Sequence, residues 1–171
     1  PGPNDTKLLA CTEVEAVSST ADLAQAMAVA AKDADIAIMA AAPADFTPAS
    51  ASQTKIKKSA DGGLELRLVQ TTDVLANLVA ARTDARQILV GFAAETPGAG
   101  ETLLDLGRAK LARKGCDLLV LNEVGHNLVF GQPESKITLL TAEGATGPLA
   151  GSKDTLAHQI WDEALAQRAR R

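Results

Sequence analysis

Three stretches of this chain, Asp35–Ala40, Gln87–Phe92 and Cys116–Leu121, are apolar almost from end to end, and a helix-length segment separates each from the next. Strands covered on both faces read this way, because neither face tolerates polar side chains. Two such strands running parallel need a crossover of a dozen or more residues, usually a helix. The pattern predicts an α/β fold, Rossmann-like, with a mostly parallel sheet and helices on both faces. Ligands of such folds sit beyond the carboxyl ends of the strands. Here those ends are Ala40–Ala42, Phe92–Ala94 and Leu121–Asn122, so separate segments are expected to converge on one crevice.

The other segments fit around these strands. Residues 8–17 end in alternation, which predicts a strand. Ser19 and Asp22 have capping-box spacing and open an alanine-rich helix to about Lys32. Residues 43–54 hold two prolines and several Ser and Thr, which predicts a loop. Leu64–Val69 alternates and predicts a strand with one wet face. Asp73 is placed to cap a helix to about Arg82. Glu101–Lys114 reads as a helix stopped by Gly115, with Glu95 and Thr96 as a capping pair before it. Asn122–Pro133 reads as a polar loop, Lys136–Leu140 and Gly147–Leu149 as a small C-terminal β-hairpin. Ser152 caps a last helix whose stripe is Leu156, Ile160 and Ala164.

At 171 residues the chain fits one domain. Three Phe, one Trp and no Tyr leave the core to Ala, Leu, Val and Ile. They also leave no aromatic platform for stacking single-stranded bases. The net charge of −4 opposes nucleic-acid binding. No apolar run reaches the ~18 residues of a membrane span, and no signal peptide is visible. Cys11 and Cys116 are far apart, form no Cys-x-x-Cys motif, and read as reduced core residues of a cytoplasmic protein. The opening Pro1-Gly2-Pro3-Asn4-Asp5 reads as a loop, so the chain is expected to be a fragment.

The chemistry-bearing residues follow the strand ends. Small residues at Ala40–Ala42 let a ligand approach the backbone. Asp45 suits a ribose hydroxyl or Mg²⁺, a hard cation that takes oxygen ligands; its plain alternative is a turn acid. Lys55, Lys57 and Lys58 can neutralise phosphates, or form a solvated loop. At alternating spacing Lys55 and Lys57 point together and Ile56 points to the core. Phe92 is a base platform or a core aromatic. Lys110 and Lys114, one helical turn apart, project from one face. Asn122 can read a base edge through its amide, or simply end its strand. His126 and His158 are isolated and take no role, and no Walker A, Gly-x-Ser-x-Gly or Gly-x-Gly-x-x-Gly motif is present.

Four motifs in register, Ala-Ala-Ala-Pro-Ala-Asp-Phe (40–46), Lys-Ile-Lys-Lys (55–58), Gly-Phe-Ala-Ala-Glu-Thr (91–96) and Ala-Lys-Leu-Ala-Arg-Lys-Gly-Cys-Asp-Leu-Leu-Val-Leu-Asn (109–122), resemble the phosphopantothenate–cysteine ligases, the synthetase half of the bacterial bifunctional coenzyme A biosynthesis proteins. The resemblance runs from about residue 5 to the end. It implies that CTP activates the carboxylate of 4′-phosphopantothenate as an acyl-cytidylate, releasing pyrophosphate, and that the amine of L-cysteine then displaces CMP. It implies a nucleotide site at Met39, Ala40, Ala41, Asp45, Lys55, the turn Thr72, Asp73, Val74 and Leu75, Phe92, Lys110, Lys114 and Asn122. Lys55 matches the lysine tied to catalysis, and Mg²⁺ is implied at Asp45. It further implies a cytoplasmic homodimer, or a higher oligomer where a decarboxylase domain is fused; FMN belongs only to that domain.

Two departures accompany the resemblance. Pro43 stands where the family usually has Val. The family's first strand and its Asn-Arg-Ser-Ser-Gly-Lys loop have no counterpart, which implies that the fragment binds CTP weakly and turns over poorly or not at all. The competing readings are a Rossmann-type oxidoreductase binding NAD(P), which needs a glycine-rich first turn, and a non-catalytic nucleotide-binding or oligomerisation module.

Overall fold

A computed structural model describes residues 13–58, 62–98, 100–123 and 134–171. The elements in chain order are α1 (Thr20–Ala30), β1 (Ile36–Met39), β2 (Phe46–Pro48), β3 (Leu68–Gln70), α2 (Val74–Ala81), β4 (Ile88–Glu95), α3 (Leu103–Lys114), β5 (Leu118–Glu123), β6 (Glu134–Leu140), β7 (Ala145–Ser152) and α4 (Lys153–Ala169). The main sheet has the order β1-β4-β5-β6-β7. β1, β4 and β5 are parallel neighbours, and the three apolar runs of the sequence supply them. β6 is antiparallel to both β5 and β7, so four of the five strands point the same way. The terminal hairpin is longer than its sequence signal and completes the sheet instead of standing apart from it.

Strand alternation divides the core in two. Ala37, Met39, Leu89, Ala93, Leu119 and Leu121 face α1, α2 and α3. Ile88, Val90, Leu118 and Val120 face Leu156, Ile160 and Ala164 of α4, the stripe the sequence marks out. Among the described residues helices thus cover both faces, three on one and one on the other. Leu118, Leu119, Val120, Ile88, Leu89 and Val90 are fully shielded from solvent. Burying a side chain of this size contributes about 1.5–3 kcal/mol, so these two strands carry much of the fold.

Local signals set the helix ends. The Ser19 hydroxyl accepts from the Asp22 N–H while the Asp22 carboxylate accepts from the Ser19 N–H, closing the capping box of α1. Asp73 and Ser152 cap α2 and α4 more simply, each side chain accepting from a first-turn N–H, that of Ala76 and that of Thr155. Gly115 ends α3 at φ 68°, a left-handed conformation that glycine adopts without a Cβ penalty. α3 begins later than expected: its N-cap is Thr102, and Glu95 is the last residue of β4, so Glu95 and Thr96 are not its capping pair.

Three other expectations fail. Residues 13–17 form no strand; alternation cannot hold a strand without a neighbour to satisfy its backbone groups. Residues 8–12 and the 124–133 part of the expected loop, with Cys11 and His126, lie outside the described residues. The expected strand over 64–69 shrinks to Leu68–Gln70, which pairs with Phe46–Pro48 as a separate two-stranded arm. Every residue of that pair is exposed, so the alternation of this segment does not mark a core face. Lys55–Lys58 is irregular backbone inside the same excursion, and Ile56 is 56% exposed because no core lies beneath it.

Candidate functional site

β4 and β5 end side by side at Glu95 and Glu123, while β1 stops earlier, at Met39 beside Gly91 in the ladder. This edge gathers most of the residues singled out in the sequence. Met39 buries its side chain, and the exposed Ala40 and Ala41 follow it. The chain then passes Asp45 and enters the two-stranded arm. On its return, the Thr71 hydroxyl donates to the Ala44 carbonyl (2.6 Å) and the Thr71 N–H donates to the Asp45 carbonyl (2.9 Å). These bonds hold the loop after β1 against the turn that opens α2. Asp45 and Thr72-Asp73 are neighbours for that reason, although far apart in sequence. Val74 and Leu75 bury their side chains in the core, which leaves only their backbone to face a ligand.

α3 brings two lysines to the same region. The Lys110 ammonium donates to Glu95 Oε1 at 2.6 Å, and the Lys114 ammonium donates to Asp73 Oδ2 at 2.5 Å. Each pair is partly shielded. α3 lies close to the sheet because of Gly107: a Cβ there would stand 2.5 Å from Leu140 Cδ1 and 2.7 Å from Leu121 Cδ2. Burial raises the pKa of Asp73, but the hydrogen bonds from Lys114 and the Ala76 N–H and the charges of Lys114 and Arg113 outweigh it, so the carboxyl titrates below its ordinary value.

Phe92 and Asn122 lie on the other side of the edge. Phe92 packs with the α4-facing cluster. Asn122 follows Leu121 and therefore shares that face, opposite Ala94 in the ladder. Its Oδ1 is shielded from solvent and has no hydrogen-bond partner among the described residues. A buried acceptor without a partner costs free energy, about 1–3 kcal/mol, that a ligand donor would recover. The lysines and the aromatic therefore flank the carboxyl edge from opposite faces instead of lining one wall.

Lys55 is exposed and makes no hydrogen bond or ion pair among the described residues. Asp45 is exposed too, and among the described residues no group of three or more His, Cys, Asp or Glu could hold a metal ion. A Mg²⁺ at Asp45 would accordingly take its remaining ligands from phosphate oxygens and water, the usual way Mg²⁺ is bound beside nucleotides.

Two hollows sit at the opposite edge of the sheet. One, of about 620 Å³, is lined by Arg82, Thr83, Ala85, Arg86 and Arg171. The other, of about 570 Å³, lies between Cys116, the turn at Thr141–Gly144 and Gln167. Arg82 and Arg171 are committed to structure. The Asp117 carboxylate accepts from Arg82 (2.6 Å), from the Leu89 N–H (2.7 Å) and from Arg171. This aspartate lies within the resemblance motif over 109–122, and its role here is to join α2, β4, β5 and the end of α4. The buried Cys116 thiol is pushed up to about 11, chiefly by desolvation, so it stays protonated at neutral pH.

Comparison with known proteins supplies the family and the fold. A family described as the DNA/pantothenate metabolism flavoprotein C-terminal domain matches residues 1–167. A coenzyme A biosynthesis bifunctional protein CoaBC from Mycolicibacterium smegmatis is 43% identical over 159 residues, covering 90% of this chain and 38% of that protein. The CoaBC of Bacillus subtilis is 40% identical over 129 residues, covering 75% of this chain and 30% of that protein. The chain thus spans well under half the length of these relatives. Among solved structures, the DNA/pantothenate metabolism flavoprotein from Streptococcus pneumoniae superposes with a TM-score of 0.69 at 17% identity, covering 91% of this chain and 71% of that one. A Cab2 mutant in complex with phosphopantothenate-cysteine gives 0.67 at 20% identity, covering 90% and 52%. Both likenesses are of fold. With its family model matched over nearly its whole length, the chain belongs to the DNA/pantothenate metabolism flavoprotein C-terminal domain family.

Proposed function

We propose that this chain is the ligase part of a coenzyme A biosynthesis protein, joining 4′-phosphopantothenate to L-cysteine at the expense of CTP. The observation that carries the reading is the pair of α3 lysines brought to the carboxyl edge beside the Ala40–Asp45 loop. In this reading the nucleotide lies across that edge. Its base rests on Phe92, with the exocyclic amine donating to the orphaned Asn122 Oδ1. Its phosphates meet Lys110, Lys114 and Lys55, the last carried in on the exposed Lys55–Lys58 segment.

A cation at Lys55 stabilises charge as it develops on the α-phosphate and the acyl oxygen. When the acyl-cytidylate forms, the carboxylate oxygen of phosphopantothenate bonds to the α-phosphorus and pyrophosphate leaves. The cysteine nitrogen then bonds to the acyl carbon, loses a proton, and CMP departs. The second step needs orientation more than a strong base. Mg²⁺, held by Asp45 and the phosphates, would neutralise part of the polyphosphate charge. The proposed partner surface is a second copy of this chain. Phe46, Leu64, Leu66, Leu68 and Val69 of the arm are all at least 40% exposed, and a two-stranded arm with such a surface gains stability by pairing.

Calorimetric titration with CTP, ATP and NADP tests the reading. It requires CTP to bind most tightly, and Lys55→Ala to weaken CTP by about 1–3 kcal/mol, the worth of a charged hydrogen bond. Preference for NADP would transfer the site to the oxidoreductase reading, and an unaffected Lys55→Ala would return Lys55 to a solvated loop.

A further inference from the structure

The two lysines proposed to receive phosphates each already hold an anion. Lys110 is bonded to Glu95 at 2.6 Å, and Lys114 to Asp73 at 2.5 Å. Neither carboxylate is a chance surface neighbour. Glu95 is the final residue of β4, on the face that α3 covers, and Asp73 is the N-cap of α2. Two rigid elements thus present a carboxylate to two lysines on a third. The lysine pair carries two positive charges and its partners two negative ones, so each ammonium already faces a matching anion.

We propose that Glu95 and Asp73 are specificity-determining residues: internal anions that stand in for phosphate on Lys110 and Lys114, so that a whole nucleotide binds and a bare polyphosphate does not. The inference rests on the nucleotide reading given above. An incoming phosphate must compete with a carboxylate already within hydrogen-bond reach of each ammonium, and the neutralised pair gives it little long-range attraction. A ligand with only phosphates has nothing else to offer. A nucleotide adds the Phe92 surface, the Asn122 acceptor and the Asp45 loop, and those contacts supply what displacement of the carboxylates costs. The same competition lets the pyrophosphate product leave once the nucleotide is split.

The test measures dissociation constants for pyrophosphate and for CTP by calorimetry in wild type, Glu95→Gln, Glu95→Asp, Lys110→Met and Glu95→Gln/Lys110→Met, with Asp73→Asn as the independent arm, since asparagine keeps the helix cap. Glu95→Gln is expected to tighten pyrophosphate about five-fold or more, the order of a partly exposed charged contact, and to tighten CTP less. Glu95→Asp is expected to stay near wild type, and the gain is expected to vanish when Lys110 is methionine. Local damage would weaken binding, so a gain of affinity separates this role from a structural one. Unchanged or weaker pyrophosphate binding in Glu95→Gln and Asp73→Asn overturns the inference alone, as does a gain that persists without Lys110. A wild-type chain that binds no CTP removes the nucleotide reading and this inference with it.

Discussion

Replacing Asp117 should cost this fold dearly, and its hydrogen bonds show why. One carboxylate oxygen accepts both from Arg82 and from the N–H of Leu89; the other accepts from Arg171. The Asp117 side chain is only 5% exposed, while Arg82 and Arg171 keep part of their surface in water at 20% and 32%. Asp117→Ala strands the Leu89 N–H in a residue with no solvent exposure, a loss of about 1–3 kcal/mol. It also leaves two guanidinium groups without their anion. A fully buried pair would lose about 3–5 kcal/mol, and the exposure of the arginines reduces that share. The expected total is about 3–4 kcal/mol, or a fall in melting temperature of roughly 10 °C for a chain of this size. Asp117→Asn keeps an oxygen for Arg82 and Leu89 but turns an amide toward Arg171, so about 1–2 kcal/mol is expected. Urea unfolding followed by circular dichroism measures both. Losses below 1 kcal/mol for the alanine variant, or equal losses for the two, would refute the reasoning. Because Asp117 lies at the amino edge, CTP affinity at temperatures where both variants are folded should not change.

Other expected outcomes follow from single contacts. Gly107→Ala gains about 1 kcal/mol of helix propensity but drives a methyl into Leu121 and Leu140, both 1% exposed, so overpacking dominates and urea unfolding should show a net loss of about 1–2 kcal/mol. Cys116, with its thiol pKa pushed up to about 11, should resist alkylation at pH 8 in the native chain and react on unfolding, as peptide mass spectrometry would show. Its raised pKa adds stability in full below the ordinary 9.0, and that stability is lost as pH rises toward about 11, so Cys116→Ala should flatten the alkaline limb of a stability profile. Asp73 titrates low, so its contribution is present above the ordinary 3.8 and is lost as pH falls through the depressed native value; Asp73→Asn should remove that part of the acid transition.

The parts of this molecule legible in the sequence are those whose causes are local. The apolar runs identify β1, β4 and β5 because a strand covered on both faces admits little else, and Ser19, Asp73, Ser152 and Gly115 mark helix ends by chemistry confined to a few residues. Alternation misled at residues 13–17 and 64–67, because period-two patterning reports a half-buried strand only where a sheet exists to bury it. Ile56 misled for the same reason. Lys110 and Lys114 were recognisable as a one-turn pair, but their carboxylate partners were not, since they lie on other elements 15 and 41 residues away. Glu95 beside a helix reads locally as a cap; only the ladder shows that it ends β4 on the face that α3 covers. The side of the sheet on which Phe92 and Asn122 fall depends likewise on the register of β4 against β5. The Asp117 knot joins residues 35 and 54 positions apart and leaves no local trace.

A structure of the chain with CTP bound puts the nucleotide reading to its strictest trial. The account places the phosphates among the ammonium groups of Lys55, Lys110 and Lys114, with Glu95 and Asp73 displaced and the base against Phe92 and Asn122. CTP seated instead at the amino edge, between Arg82, Arg86 and Arg171, would contradict it.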